Sequence, residues 1–104
     1  MGSIAMDKMG DIAVGYSVSS ASVYPGMRYT GRVASDPLNA LEAEATVHSG
    51  SGSQSSGARW GDYTSMSVDP ADDCTMWYTG EYMAGSGALE WATRVFSFRF
   101  SACQ

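Results

Sequence analysis

The sharpest pattern of hydrophobic and polar positions lies near the C-terminus. Arg94-Val95-Phe96-Ser97-Phe98-Arg99-Phe100-Ser101 alternates strictly, with three phenylalanines on one side. That period of two predicts a strand buried on one face. Upstream, Cys74-Thr75-Met76-Trp77-Tyr78-Thr79-Gly80-Glu81-Tyr82 is rich in aromatics and predicts a second strand, and Ala84-Gly85-Ser86-Gly87 between them predicts a hairpin turn. Setting Cys74 opposite Cys103 places Trp77 across from Phe100 and Thr79 across from Phe98, which assembles one aromatic face. In that register a disulfide at the open end of the hairpin would close a loop of about 30 residues, worth roughly 3 kcal/mol. Two buried free thiols are the alternative.

Earlier in the chain, Ile12-Ala13-Val14-Gly15-Tyr16-Ser17-Val18 alternates large and small side chains, which fits a strand sandwiched between two sheets. Tyr24-Pro25-Gly26 predicts a turn, residues 27–33 another strand, and Glu44-Ala45-Thr46-Val47-His48 a fifth. The Gly/Ser stretch over residues 49–57 reads as a solvated flexible loop. Good helix formers gather only over residues 38–45, where Pro37 and Asn39 intrude. The expectation is an all-β chain.

Composition narrows the partners. With 104 residues and 44% hydrophobic content the chain has room for one domain of modest core and is not a disordered tail. Eleven acids against six bases give a formal charge of −5, the opposite of the basic stripe that nucleic acid requires. No apolar run approaches the ~20 residues of a membrane span, and no signal peptide opens the chain. The expectation is therefore no nucleic-acid and no membrane partner.

The first half of the chain repeats in the second. Ser3-Ile4-Ala5-Met6-Asp7 aligns with Ser65-Met66-Ser67-Val68-Asp69, the alignment runs on to Asp11 with Asp73 and Tyr16 with Tyr78, and Arg28 meets Arg94 after a gap. This divides the chain into a first unit at 1–48, a Gly/Ser-rich loop and connector at 49–63, and a second unit at 64–104 cut off before its fourth strand.

These units resemble β-propeller blades. Asp7-Lys8-Met9-Gly10-Asp11-Ile12-Ala13 resembles the Asp-x-x-Gly-Asn/Asp turn of such blades. Ser67-Val68-Asp69-Pro70-Ala71-Asp72-Asp73-Cys74-Thr75-Met76-Trp77 is similar to an elongated sialidase Asp-box, Ser-x-Asp-x-Gly-x-Thr-Trp, with extra residues and without the box's glycine. The longer stretch from Arg59-Trp60-Gly61-Asp62-Tyr63 to Glu81-Tyr82 is similar to repeats of large secreted or surface bacterial propeller proteins. The resemblance implies blades of four antiparallel strands and a secreted or cell-surface location, and it implies no reaction. Propellers need roughly four to eight blades, and about two blades per chain leave the ring open. Identical copies would close it, a trimer before a tetramer; otherwise the chain is a truncated fragment of a larger propeller with no activity of its own.

Candidate chemistry is sparse. Arg59, Trp60, Asp62 and Tyr63 sit together before a predicted strand, where they either stack on a carbohydrate or anchor a peptide, or else pack between blades. Asp69, Asp72 and Asp73 share one turn; they cap it through backbone N–H groups or hold calcium, the only cofactor the sequence raises. A sialidase-like glycoside hydrolase would need Arg28, Arg32, Arg59, Arg94 and Arg99 to converge between subunits, yet Arg94 and Arg99 have opposite parity on one strand. No catalytic residue can be named. His48 is the only histidine, so no His-based zinc cluster forms within one chain. The expected function is a non-catalytic binding or scaffold module that assembles with itself.

Overall fold

The computed structural model describes residues 1–56 and 59–104. Its seven strands are β1 (Gly2–Met6), β2 (Ile12–Ser20), β3 (Val23–Arg32), β4 (Ala45–His48), β5 (Ser65–Val68), β6 (Met76–Met83) and β7 (Trp91–Phe98). They form two antiparallel meanders, a four-stranded sheet in the order β1-β2-β3-β4 and a three-stranded sheet in the order β5-β6-β7. Residues 38–45 form no helix: Asn39 takes a left-handed backbone (φ 64°) in the loop between β3 and β4.

The sheets pack face to face, and the alternation in β2 decides which face goes where. Its small residues, Ala13 and Gly15, are buried toward the second sheet, while Ile12, Val14, Tyr16 and Val18 take the opposite face. The Tyr78 ring lies directly on Gly15, so that a Cβ there would collide with ring carbons. Ala13, Met27, Met66, Met76 and Tyr78 form the buried centre, ringed by Ala5, Val47, Val68, Tyr82 and the three phenylalanines. Tyr29 packs across the interface, its ring centroid 4.5 Å from Phe98 and 5.3 Å from Phe96. The His48 and Tyr82 rings lie against each other at a tilt of 51°, their centroids 4.0 Å apart. Two hydrogen bonds stitch the sheets: Met66 N–H donates to Ser3 Oγ (2.8 Å) and Lys8 N–H to the Asp73 carbonyl (3.0 Å).

Three local expectations are corrected. The chain reverses at Ala21-Ser22, not at Tyr24-Pro25-Gly26, which lies inside β3. Val18 pairs with Gly26 and Ser20 with Val23, so Tyr24 and Pro25 together oppose Ser19 in a bulge. A bulge is where a strand tolerates a proline, because its missing N–H has no ladder bond to lose.

The hairpin of β6 and β7 is shifted by three residues from the expected register. Trp77 pairs with Ser97 and Thr79 with Val95, while Met76 faces Phe98 and Tyr78 faces Phe96. An odd shift exchanges faces. The phenylalanines therefore join Met76 and Tyr78 in the core, and Trp77 points outward. Cys74 and Cys103 are nonetheless joined by a disulfide, with Cα atoms 5.6 Å apart. They do not meet across the ladder: β7 ends at Phe98, and a turn closed by Cys103 N–H to the Phe100 carbonyl (3.0 Å) carries the second cysteine back. The actual pairing also separates Tyr16, opposite Gly2, from Tyr78, opposite Met66, so these tyrosines do not occupy matching places.

The Gly/Ser stretch is not a free loop over its described part; Gly57 lies outside the described residues. Ser51 N–H donates to the Met83 carbonyl (2.9 Å), Gly87 N–H to the Ser53 carbonyl (3.0 Å), and Gln54 bridges in parallel to Gly87. Gly52 is buried, and any side chain on it would strike the Gly85 backbone. The glycine serves close backbone approach, not flexibility.

Candidate functional site

The strand pairing of β6 and β7 lays the floor of an open cleft of about 380 Å³ lined by Arg59, Trp60, Asp62, Tyr63, Glu81, Leu89 and Trp91. Glu81 pairs with Thr93 and Met83 with Trp91, so Glu81 and Trp91 are diagonal neighbours on one sheet face. That is the outward face, since Tyr78 and Phe96, one position out of phase, belong to the core.

The wall comes from residues 59–63, held in place by three fastenings. Arg59 closes an ion pair on Asp62, with Nε and an η nitrogen each 2.8 Å from Oδ2. Gly61, with φ 69°, donates its N–H to Glu81 Oε2 at 2.6 Å. A side chain on Gly61 would also press on Ser17 Oγ of the first sheet, so the wall is wedged between the two sheets. Gln54 Nε2 donates to the carbonyls of Arg59 (3.0 Å) and Ala88 (3.3 Å), tying this wall to the loop that carries Leu89.

The cleft therefore joins the Arg59, Trp60, Asp62 and Tyr63 cluster to Glu81, Leu89 and Trp91, which lie far from it in the sequence. Tyr63 and Leu89 are 81% and 82% exposed and Trp91 48%, while Glu81 is only 9% exposed. Among the described residues, none of Trp60, Tyr63 and Trp91 stacks on another aromatic ring. Large exposed aromatics beside a fixed carboxylate offer a stacking platform with hydrogen-bond acceptors.

The aspartates of the other candidate turn act on the backbone. Asp72 Oδ1 accepts from the N–H groups of Cys74 and Thr75 (both 2.9 Å) and Oδ2 from the Thr75 hydroxyl (2.6 Å). These bonds, the Thr75 hydroxyl first, hold its carboxyl down at about 2. Asp69 accepts from Ala71 N–H (2.9 Å) and from the indole N–H of Trp77 (3.1 Å). Asp73 adopts φ 54° and offers its carbonyl to Lys8. Among the described residues no group of three or more His, Cys, Asp or Glu side chains is arranged to hold a metal ion.

The arginines are dispersed. Arg28 pairs with Glu44 at 2.7 Å on the outer face of the first sheet, and Arg32 donates to the Asp36 carbonyl at 2.6 Å. Arg99 lines a different cleft, of about 400 Å³, with Tyr29, Glu42, Phe98 and Phe100 between β3 and the end of β7.

Comparison of the chain with protein-family models, with curated proteins and with solved structures finds no match.

Proposed function

We propose that the chain is a non-catalytic binding module that uses the cleft of Trp60, Tyr63 and Trp91 to hold a carbohydrate. The observation that carries this reading is the convergence of three unstacked aromatic side chains and one buried carboxylate in a single open cleft. Indole and phenol rings stack on the C–H faces of sugars, while Glu81 and Asp62 accept hydrogen bonds from hydroxyls. A peptide is the alternative occupant, anchored by the same rings. Screening the protein on a glycan array, followed by titration of the hits, tests the reading. Trp91→Ala is expected to weaken a true carbohydrate ligand by about tenfold or more without unfolding the protein, since the ring is half exposed. Retained affinity in this variant would rule the cleft out.

A second proposal concerns assembly: the two sheets are blades of a propeller whose ring is closed by further copies, three before four. Support comes from the faces that meet. Matching the sheets by their pairing, Ile4–Val14 with Met66–Tyr78 and Met6–Ile12 with Val68–Met76, also matches Arg28 with Arg94. Under this match the outer face of the first sheet corresponds to the face of the second that is buried against it. The sheets stack front to back, as successive blades do, and not front to front as in a two-fold sandwich. Ile4 and Met6 are exposed at one end of the stack and Trp77 and Val95 at the other, the two halves of a repeatable contact; Glu81 and Trp91 share the face of Trp77 and Val95, so in such a ring the cleft would lie at the junction between copies. The solution mass tests it: three or four chain masses are expected, and a well-folded monomer would overturn it.

A further inference from the structure

We propose that the ligand of the cleft is an amino sugar, bound through its protonated amine, with Glu81 as the counter-ion. This rests on the carbohydrate reading above and adds the charge of the sugar. Four observations point to a cation. The carboxylate of Glu81 is nine-tenths buried yet lines the cleft, with Oε2 held by the Gly61 N–H. Arg59, the one cation among the described residues that line the cleft, is engaged by Asp62 at 2.8 Å, which leaves Glu81 as the uncompensated charge. Among the described residues no side-chain ion pair reaches Glu81. Trp60, Tyr63 and Trp91 share the cleft with it, and the strand register sets Trp91 diagonally beside it.

The chemistry follows directly. A carboxylate taken out of water without a cation is costly, and a ligand that brings the cation relieves that cost. Aromatic rings add to the attraction, because a cation is drawn to the negative face of an indole or phenol. A neutral sugar gains the stacking surface but leaves Glu81 uncompensated. A sugar with a free amine gains both, and the amine hydrogens supply donors that a carboxylate accepts. Acetylating the amine removes the charge while leaving the ring, the linkage and the stacking faces unchanged, so the acetylated compound is the natural comparison.

The test titrates the intact protein with a tetramer of β-1,4-linked glucosamine and with its fully N-acetylated counterpart, below the pKa of the amine. The free-amine tetramer is expected to bind about tenfold more tightly, an ordinary size for a partly desolvated cation on aromatic rings and a carboxylate. In Glu81→Gln, which keeps an oxygen for the Gly61 N–H, the two tetramers are expected to bind alike. The wild-type preference should also shrink as ionic strength rises, a readout that stands even if the variant folds poorly. Equal binding of both tetramers by the wild type would overturn the ammonium assignment and leave the carbohydrate reading in place. Binding of neither would overturn the amino-sugar assignment, and the carbohydrate reading would fall with it only if the glycan array also gave no hit; a preference that survives Glu81→Gln would remove Glu81 from the assignment.

Discussion

Carboxylates do most of the local construction in this chain. The turn between β1 and β2 is built on Asp7, whose Oδ1 accepts from the N–H groups of Met9 (2.9 Å) and Asp11 (3.0 Å), and on Asp11, whose Oδ1 accepts from Ala34 N–H (2.8 Å). The turn between β5 and β6 uses Asp69 and Asp72 in the same way, and the indole of Trp77 leans on Asp69. A side-chain oxygen that captures two backbone donors replaces bonds the ladder cannot make at a reversal. Tyr16 shows the same economy on the outer face: its hydroxyl donates to Glu44, which also pairs with Arg28, and burial followed by that bond pushes the phenol up to about 12. Asp72 provides the pH test. Its folded carboxyl sits near 2, below the ordinary aspartate value. The stabilisation is therefore complete above about pH 4 and is lost as pH falls through about 2. Asp72→Asn is expected to be less stable than wild type at neutral pH, and the gap should close over that acid window. Urea midpoints measured for both proteins from pH 7 downward check it, and a gap independent of pH would remove the carboxylate's charge from the account.

At the scale of strands, a buried disulfide ties the two ends of the β6–β7 hairpin together. It links Cys74, just before β6, to Cys103, in the turn after β7, across a separation of 29 residues. Loop-closure entropy makes that worth about 3 kcal/mol, so reduction or a Cys74→Ala/Cys103→Ala double variant is expected to lower Tm by on the order of 15 °C. Calorimetry with and without reductant reads this, and an unchanged Tm would mean that the bond constrains nothing the ladder does not already hold. The hairpin it supports shows what could be read beforehand. Its second strand is legible from the alternation around Phe96 and Phe98, but the strand runs Trp91–Phe98 where the pattern predicts residues 94–101, and Phe100 falls beyond its end. The hairpin's register is not legible, because aligning the cysteines ignores the turn that brings Cys103 back, and the resulting three-residue shift exchanges the face on which Trp77 lies. The bulge at Pro25 and the docking of Gly52 on Gly85 were missed for a related reason: a Gly/Pro signal reports what the backbone can do, not which neighbour approaches it. The candidate site divides the same way. Arg59, Trp60, Asp62 and Tyr63 stand together in one string, whereas Glu81, Leu89 and Trp91 arrive from β6, the following loop and β7, and only the register unites them.

Across the whole molecule, a slab of 43 × 28 × 17 Å buries one interface and leaves two sheet faces outward. On the first, Ile4 and Met6 flank the side chains of Ile12 and Val14; on the second, Trp77 and Val95 stand among serines and threonines. Front-to-back stacking requires that these faces bind each other and not themselves, which separates a ring from an ordinary two-fold dimer. A charge on either face should therefore stop assembly from one side only. Ile4→Glu spoils the first face and keeps the second, and Val95→Glu does the reverse. Both positions are largely exposed in the single chain (64% and 60%), so each variant is expected to fold as a monomer. Mixed in equal amounts, the two monomers retain one intact pair of complementary faces and should form a one-to-one dimer that grows no further. Light scattering of each variant and of the mixture gives the answer. A two-fold contact through either face predicts something different: the variant keeping that face intact would still dimerise alone, and mixing would add nothing. Monomers throughout, in a background where the wild type is also a monomer, would leave the two sheets as a self-sufficient sandwich and end the ring proposal.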